Sequence, residues 1–183
     1  MIPYTLSLTD GVVTLRPLSL NDLPAVLEAV HESVDEIMPW MTWCTPDYNE
    51  SIARPWLASL PQAWESGTQY GLAITDAQSG RFLGGTGLNH INPAYRLANL
   101  GYWVRTGATG RGVATRAARL AGEFAVTQLA LLRAEIVVAV GNMPSQRVAE
   151  KCGAKREGIL RNRLIVREKV FDAVMYSLTP QDY

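Results

Sequence analysis

The sequence predicts a mixed α/β (α+β) fold, formed by a single domain over residues 1–183. Two observations carry this prediction. Runs of β-branched and apolar residues recur in pairs that are separated by short polar turns, which is typical of antiparallel strands. In the middle of the chain, segments with helical spacing of apolar residues alternate with strands, as strand–helix–strand–helix. Strand pairs around such a unit predict a sheet that is covered by helices.

The first third of the chain is predicted to contain one strand followed by helices. The strand covers residues 11–18, which are rich in β-branched side chains. Ser19 opens a helix, and Asp22 lies three residues later, in the arrangement of a capping box. A short helix and a loop are expected within 33–47. A second helix is expected over 49–66, where Pro55 and Pro61 are expected to start, kink or divide it.

The rest of the chain is predicted to be mainly strands. These strands cover 70–75, 82–91, 97–104, 134–140, 158–166 and 170–178. Two helices are expected between them, over 113–129 and 144–152, and the second ends at Gly153, a residue type favoured there. Residues 134–140 are almost entirely apolar, which indicates a strand that is covered on both faces.

Composition limits the classes of protein to which this chain can belong. The chain has 17 basic and 17 acidic side chains, and 48% of its residues are hydrophobic, as in soluble globular proteins. This balance predicts no nucleic-acid partner, because binding to phosphates without sequence specificity needs a basic surface. No apolar run reaches the roughly 18 residues that cross a membrane, and the first residues lack the pattern of a signal peptide. We therefore expect a cytoplasmic protein with no membrane partner.

The two cysteines, Cys44 and Cys152, are too few for a disulfide framework. Their positions do not have the spacing of metal ligands, so no metal is expected. Neither has a histidine in a motif spacing, which disfavours a covalent intermediate on cysteine.

One loop is suited to binding an anion. Residues 107–115 read Gly-Ala-Thr-Gly-Arg-Gly-Val-Ala-Thr and join a predicted strand to the start of a helix. The first turn of a helix has unpaired N–H groups and the positive end of the helix dipole, which together bind phosphate. Glycine lets an anion approach the backbone closely, and Arg111 adds a positive charge. The loop therefore predicts a pyrophosphate site that is built mostly from main chain.

Similar glycine-rich loops occur in three other kinds of structure: an ordinary turn into a helix, a P-loop and a Rossmann dinucleotide site. An ordinary turn into a helix is about as common as a functional loop when the loop is considered alone. A P-loop NTPase is excluded because Gly110-Arg111-Gly112 is not followed by Lys-Ser/Thr. A Rossmann dinucleotide site needs G-x-G-x-x-G after the first strand of its unit and an acidic residue after the next strand, where Val140-Gly141-Asn142 stands here. That interpretation is disfavoured.

Three separated motifs resemble the GCN5-related N-acetyltransferase (GNAT) superfamily. They lie, in the family's order, at Leu100–Val104, Thr109–Thr115 and Asn142–Gly153. Shorter segments similar to its RimJ/RimL-type branch extend the resemblance over nearly the whole chain: Leu15–Leu18, Pro39–Met41, Gly158–Arg161 and Tyr176–Leu178. The resemblance implies a central, mostly antiparallel sheet with splayed central strands and flanking helices. It also implies acetyl-CoA as cosubstrate.

By this resemblance, acetyl-CoA is expected to contact three segments of the chain. The pyrophosphate segment comprises Thr109, Gly110, Arg111, Gly112, Val113, Ala114 and Thr115, with Thr109 standing where the family usually has Gln or Arg. The strand that contains Trp103 and Val104 would run beside the pantetheine arm and offer main-chain hydrogen bonds. Asn142, at the end of the next strand, would hold the pantetheine or an ordered water.

The resemblance also implies a mechanism of direct amine attack in a ternary complex, in which the thiolate must be helped to leave. Many family members use a tyrosine as the acid at the position of Ala149. Ser145 matches a serine of RimL-like members and is expected to face the sulfur, although serine at this place also caps helices. Related sequences often carry a glutamate just before the Gly-Tyr of the central strand, where Asn99-Leu100-Gly101 stands here. His90 is the candidate base, because histidine titrates near pH 6.5, with a structural role as the alternative.

The absent tyrosine and glutamate leave two kinds of function open. One is acetyl transfer to a primary amine, and the other is a CoA-binding sensor or regulatory module without catalysis. A weak base favours an α-amine of a peptide N-terminus or small molecule. At pH 7, deprotonating an α-amine costs about 1.4 kcal/mol, whereas deprotonating a lysine side chain costs about 4.6 kcal/mol.

The acceptor pocket is expected in the N-terminal helical region. Glu36 is a candidate partner for a cationic substrate, against the alternative of a solvated helix glutamate. Trp40 and Trp43 lie in a loop-like stretch and are candidates for an apolar pocket. Trp56 and Trp64, on a predicted helix, are expected in the core. A homodimer is expected by analogy with the family alone.

Overall fold

In the computed structural model, which describes residues 2–183, eight strands form one sheet that is flanked by four α-helices. The strands are β1 (Leu8–Thr9), β2 (Val13–Pro17), β3 (Tyr70–Asp76), β4 (Phe82–Asn92), β5 (Leu97–Val104), β6 (Arg133–Ala139), β7 (Lys155–Val166) and β8 (Lys169–Leu178). The helices are α1 (Leu23–Ile37), α2 (Glu50–Glu65), α3 (Val113–Thr127) and α4 (Met143–Lys151).

The sheet has the order β1-β2-β3-β4-β5-β6-β8-β7. All neighbouring strands are antiparallel except β5 and β6, which are parallel. These two strands pair only where Leu97–Asn99 face Arg133–Glu135. Beyond that point they separate and leave a gap between residues 100–104 of β5 and residues 136–139 of β6. The predicted sheet with splayed central strands is confirmed.

Helices cover both faces of the sheet. On the back face, α3 and α4 pack on a cluster that includes Leu100, Phe124 and Tyr176. On the front face, α1 and α2 pack on a second cluster that includes Leu57 and Phe82. The helices of the front face contact β3 and β4, which places the gap beside them.

The N-terminal helices differ from prediction in two respects. The capping box of Ser19 and Asp22 is confirmed, and it begins a 3₁₀ turn that leads directly into α1. The prediction that proline divides the second helix is wrong, since α2 runs unbroken with Pro55 and Pro61 inside it. Packing of one helix face holds it in spite of the lost N–H groups.

Three further elements were outside the sequence prediction. They are the short edge strand β1 and the 3₁₀ turns over Thr106–Ala108 and Pro180–Asp182. Of the two tryptophans expected in the core, Trp64 is 3% exposed and confirms the prediction. The prediction is wrong for Trp56, which is 39% exposed because it lies on the solvent side of α2.

Within residues 2–183, both cysteines are free and buried. No group of three or more metal-ligating side chains is found in the same part of the chain. None of its helices combines the length and hydropathy needed to cross a membrane.

Candidate active site

The segment that precedes the glycine-rich loop is held by α1. The Arg105 side chain is only 4% exposed and forms ion pairs with the carboxylates of Glu28 and Glu32. Glu32 also accepts the N–H of Gly107 at 2.6 Å. The hydrogen bond from Arg105 is the main cause that holds the pKa of Glu32 below its ordinary value. These contacts fix the backbone where β5 ends and the loop begins.

Glu36 adds a further contact between α1 and the segment that precedes the glycine-rich loop. Its Oε2 accepts the hydroxyl of Thr106 at 3.0 Å, one helical turn after Glu32. The backbone N–H of Thr106 is bound in turn by Ser33 Oγ at 2.9 Å. Glu36 therefore contributes to the support of the loop.

The glycine-rich loop presents a row of free donors. Among residues 2–183, no acceptor is found for the backbone N–H groups from Gly110 to Thr115, and the first helical bond is that of Arg116 to Gly112. Gly110 and Gly112 have φ values of 73° and 77°, a left-handed conformation that side chains disfavour. The loop and the first turn of α3, including Val113 and Ala114, thus present successive free N–H groups, an arrangement of the kind that binds anions.

The side chains of Thr109 and Arg111, both in the loop, differ in what they contact. The hydroxyl of Thr109 donates to the carbonyl of Thr106 at 2.8 Å, so it braces the loop. Arg111 is exposed and lines a partly open cavity of about 130 Å³, together with Arg81, Arg105 and Asp76. Arg111 therefore adds a positive charge of its own beside the loop.

A hydrogen-bonded pair bridges the gap on the back face. Tyr102 lies on the part of β5 that borders the gap, and Ser145 lies in the first turn of α4, which follows β6. Tyr102 Oη donates to the carbonyl oxygen of Ser145 at 2.9 Å, and Ser145 Oγ donates to Tyr102 Oη at 3.1 Å. Burial raises the pKa of Tyr102, so its phenol stays protonated as a donor.

The helix cap at this point is Asn142. Its Oδ1 accepts the backbone N–H of Ser145 at 3.2 Å. The alternative in which Ser145 caps the helix is therefore wrong, and the serine hydroxyl is directed to Tyr102 instead. The Oδ1 of Asn142 is committed to the cap, which leaves its amide N–H group for any contact in the gap.

Trp103 lies on the front face, opposite to Tyr102. Its ring crosses Gly85 of the neighbouring strand, where a Cβ atom would approach Trp103 Nε1 to 2.7 Å. The ring contacts Phe82 and Trp43, with centroids 5.9 Å and 5.6 Å away. Trp103 therefore offers its backbone to the gap, because its ring packs on the front face.

The connection between α1 and α2 crosses the front of the gap as a strap, residues 38–49. On one side, its Trp43 contacts Trp103 of β5. On the other side, its Trp40 packs against Phe171 of β8 at 6.3 Å and lies beside Gly141, just after β6. The structure thus brings Trp40 and Trp43 together over the gap, with β5 at one end and β8 at the other.

His90 lies apart from this arrangement. It is exposed, has a φ of 49°, and sits in the irregularity of β4 between Asn89 and Asn92. Since β4 does not border the gap, the structure lends no support to His90 as the base. The side-chain amide of Asn99 donates to Asn89 Oδ1 at 2.9 Å.

A charged network at the closed end of the gap was missed in the sequence. Glu135 pairs in register with Asn99 and accepts from Arg133 Nε at 2.7 Å. Arg133 also binds Glu157, whose pKa it lowers to about 2. The signal was the alternation of Arg133 and Glu135 with buried Ala134 and Ile136, which indicates one polar face in an otherwise apolar strand. Tyr102 was also missed as a side chain.

Comparison with known proteins extends these observations. Residues 13–155 match the family model described as acetyltransferase (GNAT) domain. The chain is 28% identical over 176 residues to a Bacillus subtilis (strain 168) protein named "Putative ribosomal N-acetyltransferase YdaF", with 93% of both chains covered. It is 27% identical to spermidine N(1)-acetyltransferase of Escherichia coli K12, covering 93% of this chain and 88% of the relative.

A solved structure is also similar to this chain over most of its length. The structure of Mycobacterium smegmatis RimJ in complex with CoA-disulfide superposes with a TM-score of 0.82 at 27% identity. The match covers 94% of this chain and 84% of the RimJ chain.

Proposed function

The chain belongs to the acetyltransferase (GNAT) family, in its RimJ/RimL-type branch, and from that premise we propose that it transfers the acetyl group of acetyl-CoA to the α-amine of a protein or peptide. The observation that carries the proposal is the gap itself. A row of free N–H groups lies at one end of it, and a serine hydroxyl is held across it by Tyr102.

The pyrophosphate of acetyl-CoA would be bound by the N–H groups from Gly110 to Thr115, with Arg111 as the adjacent cation. The contacts of α1 with Arg105 and Gly107 keep these donors in place before the ligand arrives. Preorganisation of this kind reduces the entropy that binding must otherwise remove. The residues fit an anionic ligand without a large basic surface.

The backbone of residues 100–104 lacks a partner strand on the side of the gap. We infer that it hydrogen-bonds the pantetheine arm there, as a strand would. The cosubstrate supplies an activated thioester carbonyl. When acetyl-CoA is bound, the Ser145 hydroxyl would turn its single proton from Tyr102 Oη to the departing sulfur, which it stabilises or protonates. Tyr102 would keep Ser145 in position through its bond to the Ser145 carbonyl.

The acceptor would enter from the front face, under the strap formed by residues 38–49. Trp40 and Trp43 would enclose it, and Trp103 would form its floor on the β5 side. Glu135, which pairs in register with Asn99 at the closed end of the gap, would attract the amine before deprotonation. An α-amine needs only about 1.4 kcal/mol for deprotonation at pH 7, so no strong base is required.

The test is a transfer assay with acetyl-CoA across a panel of amines: N-terminal peptides, the same peptides with a blocked N-terminus and a free lysine, and spermidine. Ser145→Ala should lower kcat by about 10- to 100-fold and leave the Kd for CoA unchanged. Ser59→Ala is the matched control, because Ser59 also lies in a helix and donates to a backbone carbonyl far from the gap. Tight CoA binding without turnover of any amine would contradict the proposal and favour a sensor.

A further inference from the structure

Charge is distributed unevenly along this electrically neutral chain. Residues 17–53 contain seven Asp and Glu side chains and no Lys or Arg. This acidic segment comprises α1, the strap and the start of α2, so it forms the wall of the gap on the side of β4 and β5. Several of its carboxylates are bound by arginines, whereas Asp35 and Asp47 form no ion pair within residues 2–183.

The opposite wall is basic. The basic arm, residues 158–170 of β7 and β8, contains Arg161, Arg163, Arg167 and Lys169, and Glu168 as its one acid. Arg161 and Arg163 lie in an irregularity where Leu160 and Leu164 of β7 face Ala173 and Phe171 of β8. Both are exposed, and neither forms an ion pair in the described part of the chain.

Arg161 and Arg163 line an open depression of about 830 Å³ with Asp172. The carboxylate of Asp172 accepts the backbone N–H of Asn162 at 2.9 Å. That contact holds the irregular turn in shape, and Arg161 and Arg163 on either side of Asn162 both line the depression. The backbone of Asp172 also receives the N–H of Val140, so the depression lies next to the end of β6.

The two walls meet at the front of the gap. Arg167 donates to the carbonyl of Cys44 in the strap, and Trp40 of the strap contacts Phe171. An acceptor under the strap therefore lies between an acidic side and a basic side. A polyamine would be attracted by the acidic side alone, because the positive charges of the basic side would repel it.

We propose, resting on the proposed function, that the acceptor is a peptide or protein whose N-terminal amine is followed closely by Asp or Glu side chains. The amine faces the acidic segment, and the following carboxylates bind Arg161 and Arg163 in the depression. Guanidinium groups suit this role because they bind carboxylates through two parallel hydrogen bonds. Exposed pairs act mainly on encounter and are screened by salt.

The test compares two peptides with the same N-terminal residue, one with Asp and Glu at positions 2–5 and the other with Asn and Gln there. At low ionic strength, kcat/KM should be about 10-fold higher for the acidic peptide than for the Asn/Gln peptide, because its KM is lower. At 0.5 M salt the two peptides should have nearly equal kcat/KM values, because salt screens the charges. The double variant Arg161→Glu, Arg163→Glu should lose this preference and use spermidine better than the parent chain.

Arg96→Glu is the matched control, because Arg96 is exposed on the turn between β4 and β5, away from the open end of the gap. It should keep the preference for the acidic peptide. Equal KM values for both peptides, or an unchanged preference in the double variant, would overturn the inference while transfer to the neutral peptide still supports the proposed function. Turnover of spermidine alone, with neither peptide acetylated, would overturn both.

Discussion

Tyr102 and Ser145 exchange two hydrogen bonds across the gap between β5 and the segment that follows β6. The phenol donates to the Ser145 carbonyl at 2.9 Å and accepts the Ser145 hydroxyl at 3.1 Å. Each residue comes from a different side of the splayed strands, so the pair sets how far apart these sides lie. It also selects one rotamer of the serine that the proposed mechanism uses.

Tyr102→Phe tests whether the phenol positions Ser145. We expect kcat to fall by about 10-fold, since a free serine hydroxyl occupies several rotamers, with little change in KM for acetyl-CoA. The effect should be much smaller in a Ser145→Ala background, because the two residues act as one unit. A full double-mutant cycle of kcat measures this coupling. Additive losses would show that Tyr102 acts by supporting the fold alone.

The order of elements in this chain could be predicted because each rests on local signals. Alternation, turn residues and helical spacing were sufficient for β2 to β8, and a capping box marked the start of the α1 region. The gap could not be predicted from such signals, since nothing local in Leu97–Val104 shows where pairing with β6 stops. The resemblance to a family supplied it, and the short register of β5 with β6 shows it.

Gly112→Ala tests the row of N–H groups at the start of α3. A φ of 77° is unfavourable for alanine, by about 1–2 kcal/mol, so the backbone should relax and misdirect the donors. We expect KM for acetyl-CoA to rise by about 10-fold or more, measured with saturating acceptor.

Gly80→Ala is the matched control for that change. Gly80 has a φ of 71° in the turn between β3 and β4, and an added Cβ atom would contact nothing there within 4 Å. Its stability loss should be similar, with KM for acetyl-CoA unchanged. If both variants raised KM equally, a general loss of stability would explain the result and the loop would have no special role.

Gly85→Val tests the floor of the proposed acceptor pocket. Even a Cβ atom at this position would lie 2.7 Å from Trp103 Nε1, so the ring must leave its place against Trp43. Overpacking of this kind costs about 1–3 kcal/mol, and KM for the acceptor should rise more than KM for acetyl-CoA. Thermal unfolding and two-substrate kinetics measure these effects. Gly80→Val, in the turn between β3 and β4, is the control, because its φ of 71° also makes a side chain costly while the added Cβ contacts nothing within 4 Å; it should leave the acceptor KM unchanged.

The part of the site formed by consecutive residues could be predicted from the sequence. The part formed by contacts between distant segments could not. The loop from Thr109 to Thr115 is contiguous, so its chemistry was visible in the sequence. The support that Glu32 and Glu36 give to residues 105–107 joins residues that are 70 or more positions apart. The contact of Trp40 with Gly141 also joins distant parts of the chain and could not be predicted from local patterns. For the same reason the sequence did not show that His90 lies on a strand that does not border the gap.

The ion pair between Arg133 and Glu157 predicts a dependence of stability on acid pH. The hydrogen bond from Arg133 lowers the pKa of Glu157 from its ordinary 4.5 to about 2. Between these two values the unfolded chain binds a proton that the folded chain does not, so the contribution of the pair is full above pH 4.5 and is lost as pH falls toward 2. Since the Glu157 side chain is 40% exposed, solvent screening keeps the effect small.

Glu157→Gln should remove this dependence. Urea denaturation between pH 6 and pH 2.5 should show the parent chain more stable than the variant at the upper end, with the difference shrinking as the pH falls through this window. Glu65→Gln is the control, because Glu65 is exposed at the end of α2 and forms no ion pair within residues 2–183. A difference between parent and Glu157→Gln that stayed constant across the range would show that the lost contact with Ser177, and not the charge of Glu157, accounts for the stability.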